Sequence, residues 1–354
     1  MAPAPPVSLQ LMSVPPRPLR RRHREAPRQP LAEPRLSVVI VNYDQWPDTI
    51  RLVRRLRASP AVRSGAAEVV IVDNHSPAHP AAARLRRWQG VSLRRWGRNR
   101  GFARAVNEGC RLSRGRWLLL LNPDMSLSDD FLDGVLTLMD RLALEDPRAG
   151  VVGFHLRNSD GSRQLSSGPL PTLAGTLAGL ALPRARRKYR RVHGRRRSRV
   201  GWVTGCCLLL QRDCLQQLGG FDRDFFLYYE DVDFCERARA AGWSVWYEPD
   251  LRAIHHRPLH TRAVPAHLRL LLRHALLTYS AKHWPWWQFR VLAGIVQAEA
   301  WLRRGWARWC GDLGAARLFG ELGTMVADLV RGHPVAARRR LDRVVRREEK
   351  RRAS

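Results

Sequence analysis

The sequence is poor in lysine, has no cysteine pairs of metal-binding spacing and contains no long apolar run. Lysine occurs only at positions 188, 282 and 350, so nearly all of the positive charge is arginine. None of the six cysteines forms a C-x-x-C pair, which argues against a zinc site and favours reduced cysteines that pack as small hydrophobic residues. No stretch reaches the roughly 18 apolar residues of a membrane-spanning helix. The N-terminus also lacks the apolar core of a signal peptide, and we therefore expect a cytoplasmic protein.

Charge of one sign dominates the chain. Its 354 residues carry a formal net charge of +31, concentrated in the N-terminal arm, in 184–199 and in 338–352. Three explanations are open: arginine on solvated faces of an Arg-rich protein, attraction to anionic lipid headgroups or phosphorylated substrates, or nucleic-acid binding. The third is the least favoured, because no zinc finger or aromatic RNP strand accompanies the charge. Nucleic acid is therefore not an expected partner.

The chain from residue 36 to about 156 alternates apolar strands with single helices. Hydrophobic residues make up 45% and charged residues 26% of the sequence, as in a globular protein. Strands are predicted at 36–43, 68–74, 91–93 and 117–122. Continuous apolar strands separated by helices imply an α/β fold with a mostly parallel sheet and helices on both faces.

Polar side chains cluster where three of these strands end, at 42–44, 73–75 and 122–124. One such cluster would be ordinary loop chemistry. Ligands of parallel sheets lie at the carboxyl ends of the strands, so three clusters on one sheet predict a binding site at that edge.

Two carboxylates and two histidines suggest the chemistry. Glu230 and Asp231 begin an amphipathic helix, and a strand pattern then leads to His255 and His256. Asp231 and His255 are 24 positions apart (255 − 231), and a helix followed by a returning strand could bring both to one end of a sheet. A carboxylate and an imidazole that converge there suit general-base chemistry beside a bound metal ion.

Seven segments together resemble glycosyltransferase family 2, whose members are inverting sugar transferases with the GT-A fold, and most closely its rhamnosyltransferase-like branch. They occur in the family's order across residues 36–256: SVVIVNY (37–43), VVIVDNHSP (69–77), NRGFARAVNEG (99–109), LLLLNPD (118–124), TGCCLLLQRDCLQQLGGFDRDFF (204–226), EDVDFCERARAAGW (230–243) and AIHH (253–256). One such motif is a weak signal, whereas seven in order are a strong one. The resemblance implies a GT-A (Rossmann-like) domain.

LLLLNPD occupies the position of the family's D-x-D motif, with Asn122 in place of the first Asp. The resemblance implies that Asp124 binds a divalent cation, Mg²⁺ or Mn²⁺, which holds the donor diphosphate. His255 matches the family's metal-binding histidine, with His256 as the alternative, and imidazole is a more usual ligand for Mn²⁺ than for Mg²⁺. N-P-D is also a common turn sequence, and that interpretation stays open.

The resemblance also implies a nucleotide-sugar site. Its predicted members are Asn42, Tyr43, Asp73, Asn74, Asn99, Arg100, Gly101 and Asn122. Asp73 and Asn74 are expected at the nucleobase, and Asn42 and Tyr43 at the nucleoside. Residues 99–101 lead into a helix N-terminus, a position suited to the diphosphate or the sugar. A strand-ending Asx turn is the alternative interpretation of positions 73 and 74.

Asp231 matches the family's catalytic base, and Glu230 is the runner-up. An acceptor hydroxyl that attacks the anomeric carbon must lose its proton as the bond forms, and a carboxylate within hydrogen-bond reach can accept it. The alternative for Glu230, and the favoured interpretation for Asp233, is negative charge that complements the dipole of the helix.

The predicted domains are a disordered basic arm over 1–35, a GT-A domain over 36–260 with a flexible excursion over 157–200, and a helical basic region over 261–354. Tryptophans at the ends of amphipathic stretches in the last region favour a membrane-surface helix. The alternative is a helical pair that packs its Leu stripe on the catalytic domain.

The predicted function is inverting transfer of a sugar from a nucleotide-diphosphate donor to a lipid-linked or cell-envelope saccharide, at the inner face of the plasma membrane. The branch resemblance implies dTDP-L-rhamnose as the donor, with UDP-sugars as the alternative. A hypothesis of another class is a basic scaffold that has lost catalysis and binds membranes or polyanions. Asn122 permits that hypothesis, whereas the intact carboxylates at 230–231 and the histidine at 255 argue against it.

Overall fold

A mixed sheet of ten strands organises this computed structural model, which describes residues 33–180, 196–258 and 265–353. Its strands and those of a small second sheet are β1 (Leu36–Asn42), β2 (Ala67–Asp73), β3 (Val91–Arg95), β4 (Trp117–Leu121), β5 (Met125–Leu127), β6 (Ala149–Arg157), β7 (Arg163–Gln164), β8 (Ser167–Gly168), β9 (Ser198–Arg199), β10 (Trp202–Val203), β11 (Cys207–Gln211) and β12 (Ser244–His255). The main sheet has the order β3-β2-β1-β4-β11-β6-β12-β5, with β7 beside β6 and β9 beside β12, while β8 pairs with β10. Most of the predicted arm 1–35 and of the Arg-rich run 184–199 lies outside the described residues.

Strand direction brings most of the predicted site to one edge of the main sheet. β1 runs parallel to β2 and β4, and β2 to β3. β11 is antiparallel to β4 and β6, and β12 is parallel to β6. The C-termini of β1, β2, β4 and β12 therefore meet the N-terminus of β11 at one edge, which we call the carboxyl edge. The predicted α/β sheet is confirmed, with β11 as a strand of opposite direction inside it.

Helices cover both faces of the sheet, which explains why its strands are continuously apolar. Between residues 46 and 240 the described helices are α1 (Trp46–Ala58), α2 (Pro60–Arg63), α3 (Pro80–Leu85), α4 (Phe102–Leu112), α5 (Phe131–Glu145), α6 (Leu173–Leu180), α7 (Arg212–Gln217) and α8 (Glu230–Ala240). Successive side chains of a strand face opposite sides. Accordingly, Val38 and Ile40 of β1 pack in one core cluster with α1 and α5, and Val39 and Val41 pack in a second with α4 and α8.

Four further helices confirm the predicted helical C-terminal region: α9 (Ala266–His283), α10 (Trp286–Trp309), α11 (Leu313–Val330) and α12 (Pro334–Ala353). They share a buried apolar core, to which all four contribute: Leu277, Leu292, Met325 and Leu341. Phe226, which precedes α8, packs into the same core. α9 also holds α8, because His283 Nε2 lies 2.8 Å from the buried Asp233 carboxylate. None of the helices in the described ranges has the length and hydropathy needed to cross a bilayer.

The segment 157–200, predicted as a flexible excursion, contains β7, β8 and α6 in its described part. The hydroxyl of Ser166 donates to the Phe154 carbonyl at 2.8 Å, and the indole of Trp284 donates to the Pro171 carbonyl at 3.0 Å. A Cβ at Gly168 would lie 3.0 Å from an indole atom of Trp202. Gly168 therefore allows the backbone to pack closely against the Trp202 ring.

Candidate active site

Asn42 and Asp73 join the ends of β1 and β2. The Asn42 amide donates to Asp73 Oδ1 at 2.9 Å and to Ser76 Oγ at 3.0 Å. Its own oxygen accepts from Thr49 Oγ1 at 2.9 Å. Both Asn42 and Asp73 are fully buried, so Asn42 holds the two strand ends together at the carboxyl edge.

One arginine compensates the charge of Asp73. Arg95, at the end of β3, donates from Nε to Asp73 Oδ2 at 2.8 Å and from Nη2 to the Ser76 carbonyl at 2.9 Å. Its guanidinium lies 5.5 Å from the centre of the Trp46 ring. Both oxygens of Asp73 thus have partners, and a nucleobase contact would have to share or replace one of them. The role of Arg95 was not predicted from the sequence. The sequence feature that could have indicated it is the position of Arg95 at the end of β3, the strand next to β2, which ends at Asp73.

Side-chain amides hold the turn that begins α4. Asn74 Nδ2 donates to Asn99 Oδ1 at 2.8 Å, while Asn74 Oδ1 accepts the Arg100 N–H at 2.9 Å. Asn99 Oδ1 also accepts the Gly101 N–H at 2.9 Å. Gly101 has φ +89°, and a Cβ there would lie 2.7 Å from the Phe226 carbonyl oxygen. Because the N–H groups of Arg100 and Gly101 already have partners, they are not available to an anion at this turn, whereas arginine side chains are suited to bind one.

α12 contacts the same side of the carboxyl edge, which was not predicted. Tyr43 Oη donates to Glu349 Oε1 at 3.0 Å. Arg338 donates to the Asp224 carbonyl at 3.1 Å and to the Arg100 carbonyl at 3.4 Å. The local signal for this docking is a row of buried apolar residues on an otherwise charged helix: Ala337, Leu341 and Val344. Tyr43 is thus part of a contact between the first strand and the last helix.

Asp124 and His255 meet because β5 pairs with the end of β12. Asp124 Oδ1 lies 3.4 Å from His255 Nε2, and Asp124 Oδ2 accepts the Arg257 N–H at 3.2 Å. Gln164 Nε2 lies 2.9 Å from His255 Nδ1. Burial alone would lower the pKa of His255, but Cys206 and Asp124 outweigh it and raise that pKa to about 10. Burial likewise acts to raise the pKa of Asp124, yet the neighbouring His255 leaves it below its ordinary value.

The Asp124–His255 pair is placed to hold one divalent cation, which would bind His255 in its neutral form and displace its proton. Adjacent ligand atoms around an octahedral ion with bonds of about 2.1 Å lie about 3 Å apart, close to the 3.4 Å between these two side chains. His256 is engaged elsewhere, since its ring nitrogens lie 2.7 Å from Ser126 Oγ and 3.0 Å from Ser159 Oγ. Within the described ranges no group of three or more His, Cys, Asp or Glu side chains is placed to hold a metal ion, so a cation here would depend on donor phosphates for further ligands.

Asp231 lies at the N-terminus of α8, next to the end of β4. The Gly205 N–H donates to Asp231 Oδ2 at 2.8 Å. The carbonyl of Cys206, the residue after Gly205, accepts the Asn122 N–H at 2.9 Å. The half-buried Asn122 therefore lies close to the start of α8. Two left-handed residues, Tyr228 with φ 74° and Tyr229 with φ 64°, lead the chain into α8. Such backbone strain is concentrated at functional sites.

Glu230 differs from Asp231 in burial. It is buried, and its Oε2 has no hydrogen-bond partner among the residues that the structure describes. Burial raises the pKa of Glu230 well above its ordinary value, and the charge of Asp231 raises it further. Burial therefore favours the protonated form of Glu230, which is not able to accept a proton. Of the two predicted bases, Asp231 is the one suited to general-base chemistry.

Comparisons with known proteins agree on one family. The family model for glycosyl transferase family 2 matches residues 37–219. The N-acetylglucosaminyl-diphospho-decaprenol L-rhamnosyltransferase of Mycobacterium tuberculosis is 30% identical over 272 residues, which cover 72% of this chain and 86% of that protein. A low-salt glycan biosynthesis hexosyltransferase of Haloferax volcanii is 28% identical over 236 residues, which cover 63% of this chain and 68% of that protein.

A solved structure is similar in fold. The crystal structure of GalNAc-T7 with UDP, GalNAc and Mn²⁺ matches with a TM-score of 0.50 and 16% identity. The match covers 70% of this chain and 48% of that one, so this chain spans about half the length of its structural relative. At this identity the likeness concerns the fold alone, and it agrees with the predicted GT-A fold.

Proposed function

Because this chain belongs to glycosyl transferase family 2 and is a glycosyltransferase, we propose that it moves L-rhamnose from dTDP-L-rhamnose to a hydroxyl of a lipid-linked saccharide, with inversion at the anomeric carbon. The name of the Mycobacterium tuberculosis relative supports both the sugar and the class of acceptor. The observation that carries the proposed chemistry is Asp231, a carboxylate fixed by the Gly205 N–H beside the end of β4.

The proposed reaction is a single displacement. The acceptor oxygen forms a bond to the anomeric carbon while the bond from that carbon to the diphosphate oxygen breaks. Asp231 takes the proton of the acceptor hydroxyl, and the nucleoside diphosphate leaves with the electron pair of the broken bond. One displacement with one base inverts the anomeric centre.

We infer that the donor lies along the carboxyl edge, with its base near the ends of β1 and β2. Asp73 and Asn74 would contact the base, and the Arg100 side chain at the start of α4 would face the diphosphate. Asp124 and His255 would hold a divalent cation, which when bound neutralises the negative charge of the leaving diphosphate. The 3.4 Å separation of these two side chains supports this role.

The proposed place of action is the inner face of the plasma membrane. A nucleotide-sugar donor is a water-soluble molecule, whereas a lipid-linked acceptor stays in the bilayer. A peripheral enzyme can reach both.

Calorimetric titration with four donors tests the assignment: dTDP-L-rhamnose, UDP-glucose, UDP-galactose and GDP-mannose, each with and without Mn²⁺. We expect binding of dTDP-L-rhamnose that strengthens with Mn²⁺, followed by transfer of rhamnose to a polyprenyl-diphosphate-linked saccharide. Metal-dependent binding of a UDP-sugar instead would show that the proposed donor is wrong, while the proposed type of reaction would stand. Folded protein that binds none of the four donors would contradict the proposed function.

A further inference from the structure

One face of α10 is apolar and exposed along the whole length of the helix. Seven exposed, uncharged residues follow one another on this face at spacings of three or four: Trp287, Val291, Gly294, Ala298, Trp301, Gly305 and Trp309. Leu302, which is also exposed, lies beside them. We call these residues, with Leu302, the Trp stripe. Trp287, Trp301 and Trp309 are 51%, 72% and 78% exposed. Because 24 residues of helix extend for about 36 Å, the stripe is a continuous surface rather than a few scattered side chains.

The Trp stripe is not used in folding. The opposite face of α10 supplies the contacts that hold the helix in place, through Phe289, Leu292, Ala293, Val296 and Ala300. α10 is therefore apolar on both sides, with one side buried against its neighbouring helices and the other facing solvent. A surface of three exposed tryptophans is costly to leave in water and implies an apolar partner.

Charge beside the Trp stripe is positive. Arg290 and Arg308 are exposed and border the stripe at its two ends. The single carboxylate of α10, Glu299, faces away from it and is paired with Arg273 at 2.7 Å and Arg303 at 2.9 Å. An apolar strip with a cationic border matches the surface of an anionic bilayer, where acyl chains lie beneath negative headgroups.

We propose that the Trp stripe docks this protein on the surface of an anionic lipid bilayer, with α10 lying in the plane of the interface. Tryptophan is enriched at this depth because its ring is apolar and its indole N–H is polar. A second copy of the chain is the competing occupant. A symmetric dimer along the stripe, however, would bring the arginine borders of two copies together, and like charges would oppose it.

The choice of a membrane as the partner rests on the proposed function, because a lipid-linked acceptor requires the enzyme at a bilayer. The structure also links the stripe to the site. α10 follows α9 through Pro285, and α9 contacts α8 through His283 and Asp233. Docking by α10 would therefore fix the orientation of the helix that carries Asp231.

Vesicle co-sedimentation of the full chain tests the proposal. The wild-type protein should sediment with vesicles that contain phosphatidylglycerol and much less with pure phosphatidylcholine. A double variant, Trp301→Ser with Trp309→Ser, should lower the apparent affinity for the anionic vesicles by roughly tenfold or more. Leu302→Ser should lower it less, and Leu144→Ser is the matched control, because Leu144 is 87% exposed on α5, outside the stripe. Unchanged thermal unfolding would show that the exposed substitutions leave the fold intact.

Equal vesicle binding by the wild type and the double variant would overturn the proposal. So would a wild-type dimer that the double variant converts to a monomer while vesicle binding stays the same, because the stripe would then belong to a second copy. A separate assay keeps the two proposals apart. If the double variant loses transfer to a lipid-linked acceptor but retains transfer to a water-soluble analogue of that acceptor, the result supports docking by the stripe. Stripe-dependent vesicle binding without any sugar transfer would remove the proposed function and leave the docking surface.

Discussion

Replacing Asp231 with Asn should abolish most transfer while leaving the fold and donor binding intact. The Asp231 carboxylate accepts the Gly205 N–H at 2.8 Å and the Val232 N–H at 2.9 Å. An Asn side chain has one acceptor oxygen, so one of these N–H groups loses its partner at a cost of about 1 kcal/mol. General-base catalysis contributes roughly 10²–10⁴ in rate. We therefore expect kcat to fall by about that factor, with the donor dissociation constant within about threefold of the wild type.

Glu230→Gln is the matched control for this substitution. Because burial favours the protonated, uncharged form of Glu230, Gln matches that form in shape and charge, and we expect kcat to stay within a few-fold of the wild type. The assay is the initial rate of nucleoside diphosphate release at saturating donor and acceptor, beside calorimetric donor binding. A D231N enzyme within tenfold of wild-type kcat would remove Asp231 from the mechanism. An E230Q enzyme as slow as D231N would show that Glu230 acts as the base.

Three further predictions concern the surroundings of the site. Gly101→Ala should lower the free energy of unfolding, measured in urea, by about 2 kcal/mol more than Gly65→Ala does. Both glycines have positive φ, but only a Cβ at position 101 would meet a carbonyl oxygen, at 2.7 Å. His274 is held neutral in the fold, since burial and then Arg338 lower its pKa to about 3. The neutral His274 contributes to the free energy of unfolding above pH 6.5, and this contribution is lost as the pH falls from there towards 3. Acidification from pH 7.5 to 5 should therefore lower the free energy of unfolding of the wild type by about 2 kcal/mol more than it lowers that of the His274→Gln variant. Arg338→Ala should raise the donor KM several-fold with little change in kcat, because Arg338 supports the Arg100 carbonyl, whereas the exposed Arg339→Ala should leave both constants unchanged.

The first half of the sheet could be predicted because its strands are buried on both faces, and such strands are continuous apolar runs in any parallel sheet. The direction of β11 could not be predicted in this way. A five-residue buried run, CLLLQ, has the same composition whichever way it enters the sheet. Arg212, which follows β11, donates to the carbonyls of Gly115 at 2.7 Å and Ser113 at 2.9 Å, and so holds the C-terminal end of β11 beside the start of β4.

The site residues divide in the same manner. Asp124, Asp231 and His255 lie in local motifs, so their chemistry is legible from a few neighbouring residues. The contact of Tyr43 with Glu349 joins positions 306 residues apart and depends on how α12 packs. No local pattern encodes such a contact, because it follows from the burial of an apolar row on α12 against helices that are themselves placed by the sheet.

The C-terminal helices contact α8, the helix that carries Asp231. Asp233 of α8 is fully buried, and a buried carboxylate is tolerated only when its charge is compensated. One of its partners, Arg237, lies on α8 itself, but the other, His283, comes from α9. Tyr279 of α9 also donates to Glu236 of α8. Because Asp231 lies in the first turn of α8, the placement of the proposed base depends on side chains more than 40 residues further along the chain. A chain that ended near residue 260 would leave Asp233 buried without the hydrogen-bond partner that His283 provides.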